Sequence, residues 1–165
     1  MKKSESVILA EVFDMERNLS KMYLNQLANI DVHENIEYRG TKFNSAYWIA
    51  GHLTWTEHSL IVKGIAGENM NIEWIEEFAI GNPPENISKK PSVEEILKTL
   101  DDVHSKSMEI IKNLTDENLE EDNLFGMSMG GSKSKRNIIK HLIRHEPMHI
   151  GQLSWILKLN GIKFA

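Results

Sequence analysis

Residues 137–159 read NIIKHLIRHEPMHIGQLSWILKL, and this stretch decides the fold. Ile138, Leu142, His145, His149, Leu153 and Ile156 recur at steps of 4, 3, 4, 4 and 3, the period of a helix that buries one face in a bundle. Two histidines therefore stand where leucines would be expected. Four residues turn a helix through about 400°, so His145 and His149 lie one above the other. Two imidazoles so placed can share one metal ion. His141 opens the same four-residue series, but it lies about 12 Å of helical rise from His149. A single ion can take His145 with His149 or with His141, and spacing alone does not choose. Pro147 removes one backbone hydrogen bond and crowds the carbonyl of Ile143, so a kink between His145 and His149 is expected.

The string HEPMH matches the HExxH pattern of zinc metalloproteases, in which the glutamate serves as general base. That chemistry takes its third ligand from further down the chain. Only 16 residues follow His149, and none of them is His, Asp, Glu or Cys. The extended protease pattern needs a histidine at position 155, which is Trp155. A third ligand must come from upstream, which sets the protease reading aside. A di-iron carboxylate site needs two ExxH units on two helices, and the chain offers Glu146-His149 alone. Gly130-Gly131-Ser132-Lys133 lacks the spacing of a phosphate loop and reads as a flexible connection with a serine cap for the last helix.

Upstream, Asn44 or Ser45 can cap a second helix that runs to about residue 64 or 66. Ser45, Trp48, His52, Trp55, Ser59 and Val62 step by 3, 4, 3, 4 and 3 along it. His52 is thus another histidine at a core position, with a tryptophan one turn away on either side. Gly51 beside it costs about 1 kcal/mol of helix stability relative to alanine, which a close helix–helix approach would explain. A neutral imidazole buried without a partner costs free energy, so stripe histidines on two helices call for one. If His52, His145 and His149 converge, they can hold a divalent ion with at least one position open. Such an ion lowers the pKa of a bound water or thiol, or polarises a carbonyl. Zinc suits imidazole ligands, and nickel, iron and manganese are compatible with them. Glu146 lies about 100° around the helix from its neighbours and reads as support for a ligand or as surface. Gln152, a turn beyond His149, can hydrogen-bond near an open site; Trp48 and Trp55 are candidates for the pocket wall.

The rest of the chain supplies the frame. A first helix is expected from Ser4 to about Ile30, with Ile8, Val12, Met15, Leu19 and Met22 as its core stripe and Glu16 and Arg17 on its polar side. Residues 67–91 form a long connection rich in Pro, Gly and Asn, placed over one end of the bundle as part of a pocket wall. Ser92 opens a third helix with the capping-box pattern SVEE, its stripe running through Ile96, Leu100, Val103, Ser107 and Ile110, with His104 off that line and exposed. No segment alternates as a half-buried strand does. The expectation is an all-α protein: a single domain, residues 1–165, folded as a four-helix bundle with a long crossover between helices 2 and 3. A net charge of −5 argues against a nucleic-acid partner. The absence of cysteine excludes disulfides and thiolate ligands. The first residues lack a signal-peptide core, and no run approaches the roughly 18 apolar residues of a membrane span. A soluble, cytoplasmic protein is expected.

NSAYWIAGHLTWTEH, followed far downstream by LIRHEPMHIGQLSWIL, resembles the DinB-like superfamily. In that family one histidine of the second helix joins two of an HxxxHxGQ segment on the last. The resemblance covers almost the whole chain, and Pro147 departs from the commoner residues at its position. It implies a helical bundle, usually a homodimer, with a divalent metal held by His52, His145 and His149. It also implies a range of activities, among them transfer of a low-molecular-weight thiol (bacillithiol, mycothiol or glutathione) to a small electrophile. The alternatives are a non-catalytic, stress-associated metal-binding protein and a metal-dependent hydrolase of a small substrate.

Overall fold

The computed structural model describes residues 3–163. Four long helices carry the fold: α1 (Glu5–Leu24), α2 (Ala46–Glu57), α3 (Val93–Lys112) and α5 (Lys135–Leu159), with a short α4 (Asp116–Glu120) before the last. Helix α1 packs on α3 and α5, and α2 packs on the same two from the other side. The fold is all-α, as expected. Its strands are a two-residue antiparallel pair, β1 (Glu37–Tyr38) and β2 (Thr41–Lys42), on an exposed turn where Arg39 and Gly40 both take positive φ.

Local chemistry fixes the helix starts. Ser4, Ser45, Ser92, Thr115 and Ser134 each accept a hydrogen bond from a backbone N–H in the first turn that follows. The expected box at Ser92 closes on one side, because the Glu95 carboxylate accepts from the Trp74 indole. After Glu57, α2 widens into a π-turn over residues 58–63. Helix α5 is continuous across Pro147, which lies on its exposed side, and it buries the whole expected seam from Ile138 to Ile156.

The first helix departs from expectation. Ile8, Met15, Leu19 and Met22 are exposed and Val12 is half-buried, while Leu9, Ala10, Phe13, Arg17, Ser20 and Leu24 face the core. The helix also stops at Leu24, capped by Asn25, and gives way to a 3-10 turn at residues 27–29. The reason is electrostatic. Glu57 of α2 and Glu146 of α5 are both buried, and Arg17 turns inward to meet them with Nη2 2.6 Å from Glu57 Oε2 and 2.7 Å from Glu146 Oε2. Its Nε donates to Glu146 Oε1 at 2.8 Å and its Nη1 to the Leu100 carbonyl at 3.3 Å. One guanidinium thereby touches all three of the other long helices. His104, expected to be exposed, is buried for the same reason: its ring bridges Glu57 at 3.0 Å and Asp14 at 3.2 Å, edge-on to Phe13. Burial alone would push the Glu57 carboxyl up, but Arg17 and then His104 outweigh it and hold it below the usual carboxylate range.

Removing one partner from such a cluster strands the others without compensation. Arg17→Met is expected to cost about 3–5 kcal/mol, read as a lowered midpoint in urea unfolding. Met15→Lys, on the exposed side of the same helix, is expected to change monomer stability by no more than about 0.5 kcal/mol.

Candidate metal centre

Helices α2 and α5 bring His52, His145 and His149 together. Each ring offers one nitrogen, and the three nitrogens lie within 4.8 Å of one another. All three side chains are buried. Of the two pairs that spacing left open, His145 and His149 are the one that meets His52; His141, its ring 5.4 Å from that of His145, accepts a hydrogen bond from Arg144 instead. Glu146 faces away, toward Arg17. Trp48 stacks on His52 at 4.4 Å between centroids and 12° between planes, with Trp55 on the same ring at 5.6 Å.

The hydrogen bonds sort the ring nitrogens into donors and ligand-ready acceptors. His52 Nδ1 can only donate to the Phe78 carbonyl, 3.0 Å away, so the lone pair stands on Nε2, where the Thr56 hydroxyl donates at 3.3 Å. His149 Nδ1 donates to Gln152 Oε1 at 2.9 Å, which likewise leaves the lone pair on Nε2. Metal-binding histidines are oriented in this way, by an acceptor on the far nitrogen. His149 Nε2 also sits 3.2 Å from His145 Nε2. That matches the edge of about 3.3 Å between two nitrogens on a tetrahedral zinc ion. The donor set, its tautomers and its spacing fit a divalent ion.

Burial, only partly offset by the Phe78 bond and abetted by His149, lowers His52 to about 4. Burial and then the surrounding histidines and Arg144 lower His145 to about 3, and burial lowers His149. The rings are neutral at pH 7, the state a metal requires.

The long connection supplies the carbonyl that orients His52. Phe78 lies against Gly51, where a Cβ would fall 2.2 Å from the phenyl ring. The close approach anticipated at Gly51 is made by a 3-10 helix of this connection, Ile75–Phe78, rather than by another long helix of the bundle. Indole and phenol groups pin the segment down. Trp48 Nε1 donates to the Asn82 carbonyl, Trp55 Nε1 to Glu76, Trp74 Nε1 to Glu95, and the Tyr47 hydroxyl to the Pro91 carbonyl. An apolar cavity of about 310 Å³ adjoins the cluster at Gln152, between Phe43, Ile49, Trp155 and Ile156.

Residues 14–153 match the family model of the DinB superfamily. The chain belongs to the DinB superfamily. No curated protein matches it. The match takes in Arg17, all of α2 and α5 as far as Leu153, and with them the three clustered histidines. Among the described residues no helix is long and apolar enough to cross a membrane.

Two outcomes follow. Gly51→Ala should displace Phe78 and free His52 Nδ1, lowering metal affinity by about 10–100-fold in a competition titration with a chromophoric chelator. In metal-free protein the depressed His52 and His145 values mean that the unfolded chain binds protons the native state refuses. Their contribution is intact above an unfolded value near 6.5 and lost as pH falls through about 4 to 3. The melting temperature should fall across that window, and less steeply in His145→Gln.

Proposed function

We propose that this DinB-superfamily chain is a divalent-metal-dependent enzyme that joins a low-molecular-weight thiol to a small electrophile. The observation that carries the reading is the tautomer pattern at the cluster. His52 and His149 give their Nδ1 protons to Phe78 and Gln152 and turn unprotonated Nε2 atoms toward the shared centre. His52, His145 and His149 would hold zinc or nickel, or else iron or manganese, with a position left for substrate. Such an ion supplies Lewis-acid activation of a thiol or a carbonyl. The protein's own part is positional: Gln152 fixes His149, Trp48 and Trp55 wall His52 from water, and the apolar cavity beside Gln152 receives the electrophile. With no cysteine in the chain, the attacking sulfur must come from outside. That requirement favours a reducing, cytoplasmic setting, where free thiols abound.

We further infer a homodimer. Ile8, Met15, Leu19 and Met22 on α1 and Met148 on α5 expose apolar side chains, and α1 and α5 pack on each other. A face of that kind is the usual mark of a partner surface.

Elemental analysis of untagged protein tests the centre directly. Near-stoichiometric metal is expected in the native chain and its loss in His52→Ala, His145→Ala and His149→Ala. Absence of metal after dialysis against zinc, nickel and manganese would end the reading. Turnover of a model electrophile that needs both metal and added thiol supports the transferase. Thiol-independent hydrolysis would assign a hydrolase instead, and bound metal without turnover a non-catalytic stress protein.

A further inference from the structure

We propose that Lys140, His141 and Arg144 form a receptor for an oxyanion group, a carboxylate or phosphate borne by the substrate or cosubstrate of the neighbouring centre. The connection to that centre rests on the function proposed above; the anion site stands on its own geometry. Residues 137, 140, 141 and 144 share one face of α5, and with Met129 and Gly130 of the preceding loop they line a cavity of about 110 Å³. That volume admits one charged group and not a whole substrate. The loop is held over the helix by Asn137, whose Nδ2 donates to the Met129 carbonyl at 2.7 Å. Gly130 and Gly131, both at positive φ, turn the chain back so that Met129 and Ser132 pair through their backbones.

The charges there are incompletely matched: Lys140 helps lower the Glu5 carboxyl, but Glu5 bonds directly to Arg136. The preceding cations of α5 are satisfied, Lys135 by Glu121 and Arg136 by Glu5 and Glu120. Among the described residues Lys140 and Arg144 have no carboxylate within ion-pair distance, and no acidic side chain lines the cavity. In a chain with 24 acidic and 19 basic side chains, adjacent unpaired cations around a formed cavity are suited to a ligand of opposite charge. Arg144 Nη2 donates to His141 Nδ1 at 3.1 Å. The imidazole proton is therefore on Nε2, which adds a neutral donor to the two cations.

The distance to the metal centre narrows the ligand. The His141 ring stands 5.4 Å from the ring of His145, one helical turn along α5. A molecule with its anionic group in the cleft and its reacting atom at His145 and His149 is short, its charge roughly 5–6 Å from the reacting atom. Small acids and phosphates, and thiols with a nearby carboxylate, meet that description; a molecule with a long chain between its charge and its reacting atom does not.

The test is a titration of metal-free protein at neutral pH and constant ionic strength, with inorganic phosphate in one series and acetate in the other. Histidine ring resonances are followed by NMR, that of His141 being assigned through His141→Gln. A saturable shift of His141 with either anion is expected, and the tighter of the two names the group. The double variant Lys140→Gln/Arg144→Gln should weaken that binding by about tenfold, the loss of two exposed charged contacts, with metal content unchanged. A non-saturating shift, or one of equal affinity in the double variant, overturns the inference. Metal bound without an anion site would sink this inference alone, and an anion site in a protein that binds no metal would sink the proposed reaction alone.

Discussion

One buried guanidinium organises this molecule. Arg17 reaches Glu57, the Leu100 carbonyl and Glu146, and so ties α1 to α2, α3 and α5 at a single level of the bundle. Charges at this depth lose so much hydration that they persist only when every member is matched. The network does more than hold helices together. Glu146 adjoins His145 in sequence, and Glu57 lies five residues beyond His52. The contact that fixes the axial register of α2 against α5 therefore also fixes the height at which their histidines meet.

That arrangement explains which parts of the fold were legible in the sequence. Helix α5 was, because its apolar seam keeps one period over five turns and the histidines fall on it. The cap at Ser92, and Ser45 as one of two candidates for α2, were legible because capping is settled within one turn of chain. Helix α1 was not. Its larger apolar residues, Ile8, Met15, Leu19 and Met22, describe one face, while the buried set of Ser6, Ala10, Phe13, Arg17, Ser20 and Leu24 has the same period with smaller and polar members. Periodicity cannot rank two such faces when the deciding contact joins residues 129 positions apart. A sign was nevertheless present: Glu57 closes an otherwise apolar helix, and a carboxylate among such neighbours needs a cation from elsewhere.

Of the metal centre, the three histidines were readable and their surroundings were not. Gln152 was visible as one turn beyond His149 and does orient it. Glu146 could be read as support or surface; it is buried, and its carboxylate pairs with Arg17. The Phe78 carbonyl has no signature in sequence at all, since any residue offers one. Gly51 was its indirect trace, a helix-weakening residue whose reason lies in the ring packed against it.

The same carbonyl has a consequence for the connection between α2 and α3. The Phe78 carbonyl holds the Nδ1 proton and so favours the tautomer that turns Nε2 of His52 toward an ion, which couples ion binding to the seating of the segment. By thermodynamic reciprocity, whatever occupies the histidines also fastens residues 64–92, by the same free energy with which the seated segment tightens the ion. Ile80, two residues past Phe78, is 77% exposed. A protease acting there would thus gauge occupancy, cutting the chain in proportion to the time its centre stands empty.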